Sequence, residues 1–216
     1  MKRIITILLS FLFISFQSVK ADIGMGLTGA LHMFDATGTE TTRTSNQKNS
    51  GSHSDKVVVP ELFVEVVYDN GGAIGISYIP TRDVGSESRS DSNSGGDTGT
   101  YTAEAELDDV VQIYADIPTA ISIVGYDIYA KVGVQHVTLV TLESLNSGST
   151  YPDEELLGYT LGLGTKGDLA FGNNLYYKAE ATYTNFEDYE ATATAGNKVE
   201  AELEDIALKF SVGYKF

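Results

Sequence analysis

Charged side chains recur two or four residues apart inside several of the most apolar segments of this 216-residue chain. In Leu175–Phe186, Lys178 and Glu180 are two residues apart, and alanine and tyrosine stand between and beside them. Acids and bases that are held away from water must pair with one another. The sequence therefore predicts an interior network of ion pairs, with these members: Glu61, Glu65, Lys131, Lys166, Lys178, Glu180 and Lys209.

Acyl transfer is the second chemistry that the residue types suggest. It would need a serine beside a histidine that a carboxylate orients. Glu143 and Ser144 follow His136 by seven and eight residues, and His32 is far from both. Neither histidine has the closely spaced serine that such a site needs, and a lone histidine near a strand end is more often a polar rim residue. We therefore predict no catalytic residues and no enzymatic activity.

The segments that carry the charged residues have the pattern of β-strands, because apolar residues alternate with small or polar ones. The last eleven residues show it most clearly, with these apolar or aromatic positions: Ile206, Leu208, Phe210, Val212, Tyr214 and Phe216. Seven earlier segments show the same period, at residues 23–33, 58–68, 74–78, 107–117, 126–134, 157–163 and 175–183. One face of each of these eight strands is apolar, which suits contact with lipid.

Residues 1–21 have the layout of a secretory signal peptide. Lys2 and Arg3 precede an apolar run from Ile4 to Phe16, and small residues precede Asp22. That run is shorter than the roughly 20 residues that a membrane-spanning helix needs. We expect cleavage after Ala21 and one barrel domain over residues 22–216; the alternative is an N-terminal membrane anchor.

The predicted mature chain is strongly acidic, with 11 basic and 30 acidic side chains and a net charge of −19. Such a charge repels nucleic acid. Of this charge, −15 lies in Asp83–Glu106, Glu143–Glu155 and Glu187–Asp205. Clustered carboxylates could bind Ca²⁺ or Mg²⁺, but no calcium-loop spacing is present, so a solvated acidic rim is expected. The chain has no cysteine. We predict neither a metal site nor a cofactor.

The connections between the predicted strands alternate between long and short. Asp69–Gly72 contains Asn-Gly, a tight hairpin signal, whereas Asp35–Asp55 and Asp83–Thr100 are long and polar. This rhythm is typical of a barrel with both termini in the periplasm and long loops outside. We therefore predict an all-β fold, an eight-stranded antiparallel up-and-down transmembrane β-barrel.

The interior of an eight-stranded barrel is just wide enough for side chains to fill. If the apolar positions face lipid, the charged network faces inward, together with Tyr114, Asp116, Asp127 and Tyr129. We expect these ion pairs to close the lumen. A narrow ion path is the alternative.

Two C-terminal segments resemble small outer-membrane barrels of the opacity-protein and OmpA-like type. In Leu175–Phe186, the lysine and glutamate two apart are followed by Tyr183, Thr184 and Phe186, and Glu204–Phe216 ends in phenylalanine. The resemblance covers the last quarter of the chain. It implies a Gram-negative outer membrane, with its lipid and lipopolysaccharide as surroundings. It also implies a signal that the barrel-assembly machinery reads, formed by Phe210, Val212, Tyr214 and Phe216.

The sequence thus predicts a non-enzymatic outer-membrane surface protein, a monomer that displays acidic extracellular loops of unknown ligand. The alternative is a small passive channel for ions or small apolar solutes, as in OmpW-like barrels. Conductance in lipid bilayers separates the two.

Overall fold

The structure, a computed structural model, describes residues 21–43, 46–92, 98–144, 150–170, 172 and 174–216. All regular structure in these ranges is antiparallel strand. The ten strands are β1 (Ala21–Thr41), β2 (Lys48–Tyr68), β3 (Ala73–Ile79), β4 (Arg82–Ser92), β5 (Thr98–Ile123), β6 (Tyr126–Ser144), β7 (Glu154–Asp168), β8 (Leu175–Phe186), β9 (Tyr189–Thr192) and β10 (Lys198–Lys215). No helix within the described ranges is long and apolar enough to span a membrane.

The strands close into a ring of eight. Each pairs with its neighbour in the order β1-β2-β3-β5-β6-β7-β8-β10, and β1 pairs with β10 from Gly24↔Lys215 to Thr41↔Lys198. Strand β4 prolongs the third member of the wall after Pro80 and pairs with β5, and β9 pairs with β10. The predicted fold class, an eight-stranded antiparallel barrel, is confirmed.

The short connections and both ends of the described chain lie at one end of the barrel, which we call the turn end. Between β2 and β3, the Tyr68 N–H donates to the Gly72 carbonyl at 2.9 Å. Between β5 and β6, Val124 and Gly125 both have positive φ angles, 53° and 83°, as a two-residue hairpin turn of the I′ type requires. Ala21 pairs with Tyr68, and the Phe216 N–H donates to the Ile23 carbonyl. We call the opposite end the loop end.

An apolar belt covers the outward face of the barrel from the turn end upward. Leu27 is 60% exposed, Leu161 62% and Phe210 55%. The belt is continuous across strands, since Leu27 lies between Val212 on β10 and Leu62 on β2. Exposed apolar area of this extent is costly in water and stable in lipid, so the belt marks the membrane-spanning zone.

Above the belt, the polarity of the strands inverts. Along β10, the exposed outward positions change from acidic to apolar: Glu200, Glu202, Glu204, Ile206, Leu208 and Phe210. The inward positions change the other way, because Leu203 is buried and apolar whereas Lys209 and Ser211 are polar. Beyond the belt, the barrel is therefore built like a water-soluble one, with a polar outside and an apolar inside.

The apolar interior of the loop end forms one packed cluster to which all ten strands contribute. Its members are Phe34, Val59, Ile79, Val84, Leu107, Val110, Val137, Leu139, Leu156, Phe186, Tyr189, Ala191 and Leu203. We call it the loop-end core. It stabilises the paired strands beyond the apolar belt, because burying these side chains removes apolar area from water.

Two sequence-based predictions were wrong at the loop end. The long polar segments predicted as loops are largely strands: β1 runs to Thr41, β2 starts at Lys48, and β4 and β5 occupy most of residues 82–123. Leu107, predicted on the lipid face, is buried inside. A bulge between Asp108 and Val111, with Asp109 at φ 51°, shifts the alternation by one residue.

Candidate functional site

The barrel interior near the turn end holds a cluster of charged side chains around Lys178, which is 2% exposed. Its Nζ lies 2.9 Å from Glu65 Oε2, 2.8 Å from Asp116 Oδ2 and 3.9 Å from Glu180 Oε1. These partners come from β2, β5 and β8, so the ion pairs tie separate parts of the wall together across the lumen. We call the cluster the turn-end network: Glu65, Asp116, Lys131, Lys166, Lys178 and Glu180.

Lys131 is the second buried cation of the turn-end network. Its Nζ lies 2.9 Å from Glu180 Oε1 and 3.1 Å from Asp116 Oδ1. It also lies 3.5 Å from the centre of the Tyr114 ring, in cation–π contact. Asp116 is thus shared between two lysines, and removing either lysine would leave a buried carboxylate short of a partner.

Tyrosine hydroxyls donate further hydrogen bonds to the carboxylates of this network. Tyr114 and Tyr176 donate to the two oxygens of Glu65 at 2.7 and 2.8 Å, and Tyr129 donates to Glu180 at 2.8 Å. Burying carboxylates is tolerated when several donors replace their water. Here lysines and tyrosines do so together.

Glycine on the wall makes room for these rings. A Cβ at Gly75 would lie 2.5 Å from Tyr114, and one at Gly164 would lie 2.5 Å from Tyr129. Any larger residue at either position would push the ring off the wall. The missing side chains at Gly75 and Gly164 thus leave the space on the wall that the two rings occupy.

A second charged cluster lies one layer toward the loop end. Both ring nitrogens of His32 contact carboxylates, Nδ1 to Asp205 at 2.7 Å and Nε2 to Glu61 at 3.1 Å. Lys209 Nζ donates to both oxygens of Glu61, at 2.8 and 3.1 Å. With Arg82, these residues form the mid-barrel network. Lys209 is opposite Glu180 in the β8–β10 ladder, so the two networks adjoin.

Arg82 sits at the boundary between the mid-barrel network and the loop-end core. It is 3% exposed, and its guanidinium lies 5.3 Å from the centre of the Phe34 ring. None of its three side-chain nitrogens has a hydrogen-bond partner among the described residues, and neither has Asp205 Oδ1. The charges of Asp205 and Glu61 act on it through space. Arg82 thus balances the acids below it without a direct bond.

The charges of the two networks cancel. Five carboxylates, Glu61, Glu65, Asp116, Glu180 and Asp205, face five cations, Arg82, Lys131, Lys166, Lys178 and Lys209. A buried set of this size is tolerated only near neutrality, because each uncompensated ion would carry its full desolvation cost. His32 adds one positive charge when protonated.

Six of the seven predicted network residues lie in direct ion pairs: Glu61, Glu65, Lys131, Lys178, Glu180 and Lys209. The seventh, Lys166, is only partly buried, and its Nζ has no hydrogen-bond partner in the described part of the chain. It lies 5.2 Å from the centre of the Tyr129 ring. Asp127, predicted to face inward, is exposed in the β5–β6 hairpin at the turn end.

Sequence reasoning missed His32, Arg82 and Asp205 as network members. Asp205 continues the inward alternation of Ala207 and Lys209, so extending the terminal strand by one step would have found it. His32 shares the inward alternation of Thr28 and Ala30 but was taken for a rim residue. The inward position of Arg82 could not be read from the alternation of β3, because Pro80 and Thr81 interrupt the strand before β4 begins at Arg82.

The residues predicted as an assembly signal lie at the closure of the barrel. Phe210, Val212 and Tyr214 point outward on β10, and the Phe216 ring packs edge-on against Tyr214 with ring centres 4.9 Å apart. All four are in the apolar belt or at its edge. Their role in assembly stays a prediction, as does the cleavable signal over residues 1–21, of which residues 1–20 lie outside the described ranges.

His136, the residue considered for acyl transfer, points outward from β6. Its Nε2 is 3.5 Å from Glu155, and both side chains are largely exposed. The side chains of Glu143 and Ser144 lie outside what the structure describes. His32, the other histidine considered, is buried between its two carboxylates.

The acids of the loop end lie mostly on the outer face of extended strands. Glu104, Glu106 and Asp108 alternate on β5, as Glu200, Glu202 and Glu204 do on β10. Desolvation, and next the neighbouring Asp83 carboxylate, raise the pKa of Glu106. In the described ranges, no group of three or more His, Asp or Glu side chains is arranged to hold a metal ion.

Comparison with solved structures finds barrels of this architecture. OprG, an outer membrane protein from Pseudomonas aeruginosa, superposes with a TM-score of 0.52 at 10% identity, over 90% of this chain and 97% of its own. The outer membrane protein AlkL, solved in lipid bilayers, gives a TM-score of 0.46 at 12% identity, over 94% of this chain and 93% of its own. Neisserial surface protein A gives 0.41 at 11% identity, over 87% and 97%.

No family model matches the chain, and no curated protein matches it by sequence. At these identities, the comparisons establish the fold alone. The ring of eight antiparallel strands, its outward apolar belt and the likeness to OprG lead to the same conclusion: this chain has the fold of the small outer-membrane β-barrel proteins.

Proposed function

We propose that the chain is a non-enzymatic surface protein of a Gram-negative outer membrane. In this proposal the apolar belt contacts lipid and lipopolysaccharide, the turn end faces the periplasm with both ends of the chain, and the loop end projects outside. We propose a monomer, since each of the eight described wall strands pairs on both sides at the level of the belt and leaves no edge there to pair with a second copy.

The observation that carries the proposal is the pair of charge-neutral networks across the lumen at the level of the belt. A barrel whose interior is filled by paired ions and tyrosine rings serves as a rigid anchor for what it projects. What it projects here is a polar, strongly acidic collar of strands, together with the loops that join them. The alternative is a small passive channel for ions or small apolar solutes. It would require the ion pairs of these networks to separate and leave a continuous path through the lumen.

Single cysteines test the orientation, because the chain has none of its own. Ser52 is exposed on β2 at the loop end, and Asp69 is exposed in the β2–β3 turn. We expect a membrane-impermeant maleimide to label Ser52→Cys on intact cells. Asp69→Cys should react only after the outer membrane is permeabilised.

The two variants control for each other, since each position is exposed and neither residue is a member of the networks. Labelling of Asp69→Cys but not Ser52→Cys on intact cells would invert the proposed orientation. Labelling of neither before permeabilisation, and of both after it, would place the protein away from the cell surface.

A further inference from the structure

The loop-end interior contains a cavity of about 240 Å³. We call it the loop-end chamber. It is open on one side. Its lining comes from β1, β2, β4, β5, β6, β7, β9 and β10, chiefly Ala36, Val84, Ala105, Leu139, Leu156 and Leu203, with His53 and Tyr189 also at its wall. It lies beyond the apolar belt, in the part of the barrel whose outer face is polar, at the end that faces the outside medium in the orientation proposed above.

The floor of the chamber is closed. Below it, Phe34 is 1% exposed, Leu107 0% and Phe186 2%, and Arg82 is stacked beneath Phe34 over the mid-barrel network. A molecule that entered the chamber from outside would meet packed rings and then paired charges. The geometry suits binding without passage.

The chamber is kept open by small residues. Ala36 on β1, Ala105 on β5 and Ala201 on β10 all point toward it, at positions where a leucine or phenylalanine would fill the space. An unfilled cavity in an apolar core weakens packing in proportion to its volume. Larger side chains at these positions would fill the chamber and raise the stability of the loop end. A ligand that occupies the chamber supplies the same packing contacts.

The lining sets the chemistry of the occupant. An apolar cavity of about 150 Å³ stays dry and binds benzene in a well-studied case, so 240 Å³ holds a somewhat larger ring system. Glu104 and Glu202, whose side chains face outward, and Glu187 border the chamber, and their charges disfavour an anionic ligand. We propose that the loop-end chamber binds a small uncharged apolar molecule, about the size of a two-ring aromatic hydrocarbon, taken from outside.

Naphthalene is a suitable probe, titrated into the full chain in lipid nanodiscs with methyl-labelled alanine, leucine and valine and followed by NMR. We expect saturable ring-current shifts at the methyl groups of Ala36, Ala105, Leu139 and Leu156. Lipid-facing methyl groups such as those of Leu161 report only partition into the bilayer, which rises without saturation.

Ala201→Phe fills the chamber and should weaken naphthalene binding at least tenfold. Ala181→Phe, the same change on the lipid face of β8, should leave it unchanged. If Ala201→Phe loses the native β10 signals, Ala105→Phe makes the same test from β5. Unsaturable shifts at the chamber methyl groups, or equal affinity in the filled and control variants, would overturn the proposal while leaving the surface role intact.

Discussion

Replacing Lys178 with methionine should lower the free energy of unfolding of the barrel by roughly 3–5 kcal/mol, the range for breaking a buried ion pair. Lys178 contacts three carboxylates inside the turn-end network and is 2% exposed. Methionine fills similar space without charge, so the variant leaves Glu65 and Asp116 with one cation too few. Urea unfolding in lipid vesicles measures the change.

Two variants make the interpretation of Lys178→Met specific. Lys215→Met removes an exposed pair, since Lys215 Nζ is 2.7 Å from an Asp168 that is 77% exposed, and should cost less than about 1 kcal/mol. The double variant Lys178→Met/Asp116→Asn restores neutrality and should recover part of the loss. An unchanged unfolding midpoint for Lys178→Met would show that the network does not hold the barrel together.

An arginine on the lipid face should have the second largest effect. Val212 points outward on β10 within the apolar belt, beside Leu27 and Tyr177. A cation near the middle of a bilayer costs about 2–4 kcal/mol in barrels of this kind. We expect Val212→Arg to destabilise the folded barrel in vesicles by that amount.

The control lies on the same face of the same strand. Glu202 points outward five steps along the alternation, above the point where polarity inverts. Glu202→Arg should change the stability by less than about 0.5 kcal/mol, as is usual for an exposed surface position. Equal losses for the two variants would contradict the assigned position of the membrane, and no loss for Val212→Arg would contradict the inside and outside assignment.

The period-two pattern predicted the membrane part of the fold well because lipid imposes one rule on every strand there. Leu208, Phe210 and Val212 alternate with Lys209 and Ser211, and no other arrangement hides the charges. The rule reverses above the belt. Glu200, Glu202 and Glu204 lie on the same outward face as Ile206. A search for apolar residues at every second position therefore ends at Ile206, although the strand itself continues to Lys198.

The reversed pattern was nevertheless present in the sequence. Val199, Ala201 and Leu203 alternate with the three glutamates in the opposite phase, which is the signature of a strand in water packed on a core. The interior network was predictable where alternation is unbroken, as for Lys178 and Glu65. The network was not predictable where the inward and outward alternation shifts by one residue, at the Asp109 bulge and after Pro80. Such a shift depends on how two strands pair, which the sequence of one strand does not give.

The most direct test of the account is ion flux through the reconstituted barrel. Ser52→Cys protein in liposomes can first be labelled from outside to count the inserted molecules. We expect that K⁺ flux, and stepwise conductance in planar bilayers, do not exceed those of protein-free membranes, because in our proposal the turn-end and mid-barrel networks close the lumen. Reproducible conductance steps that scale with the number of inserted barrels would contradict a closed lumen and favour the passive channel.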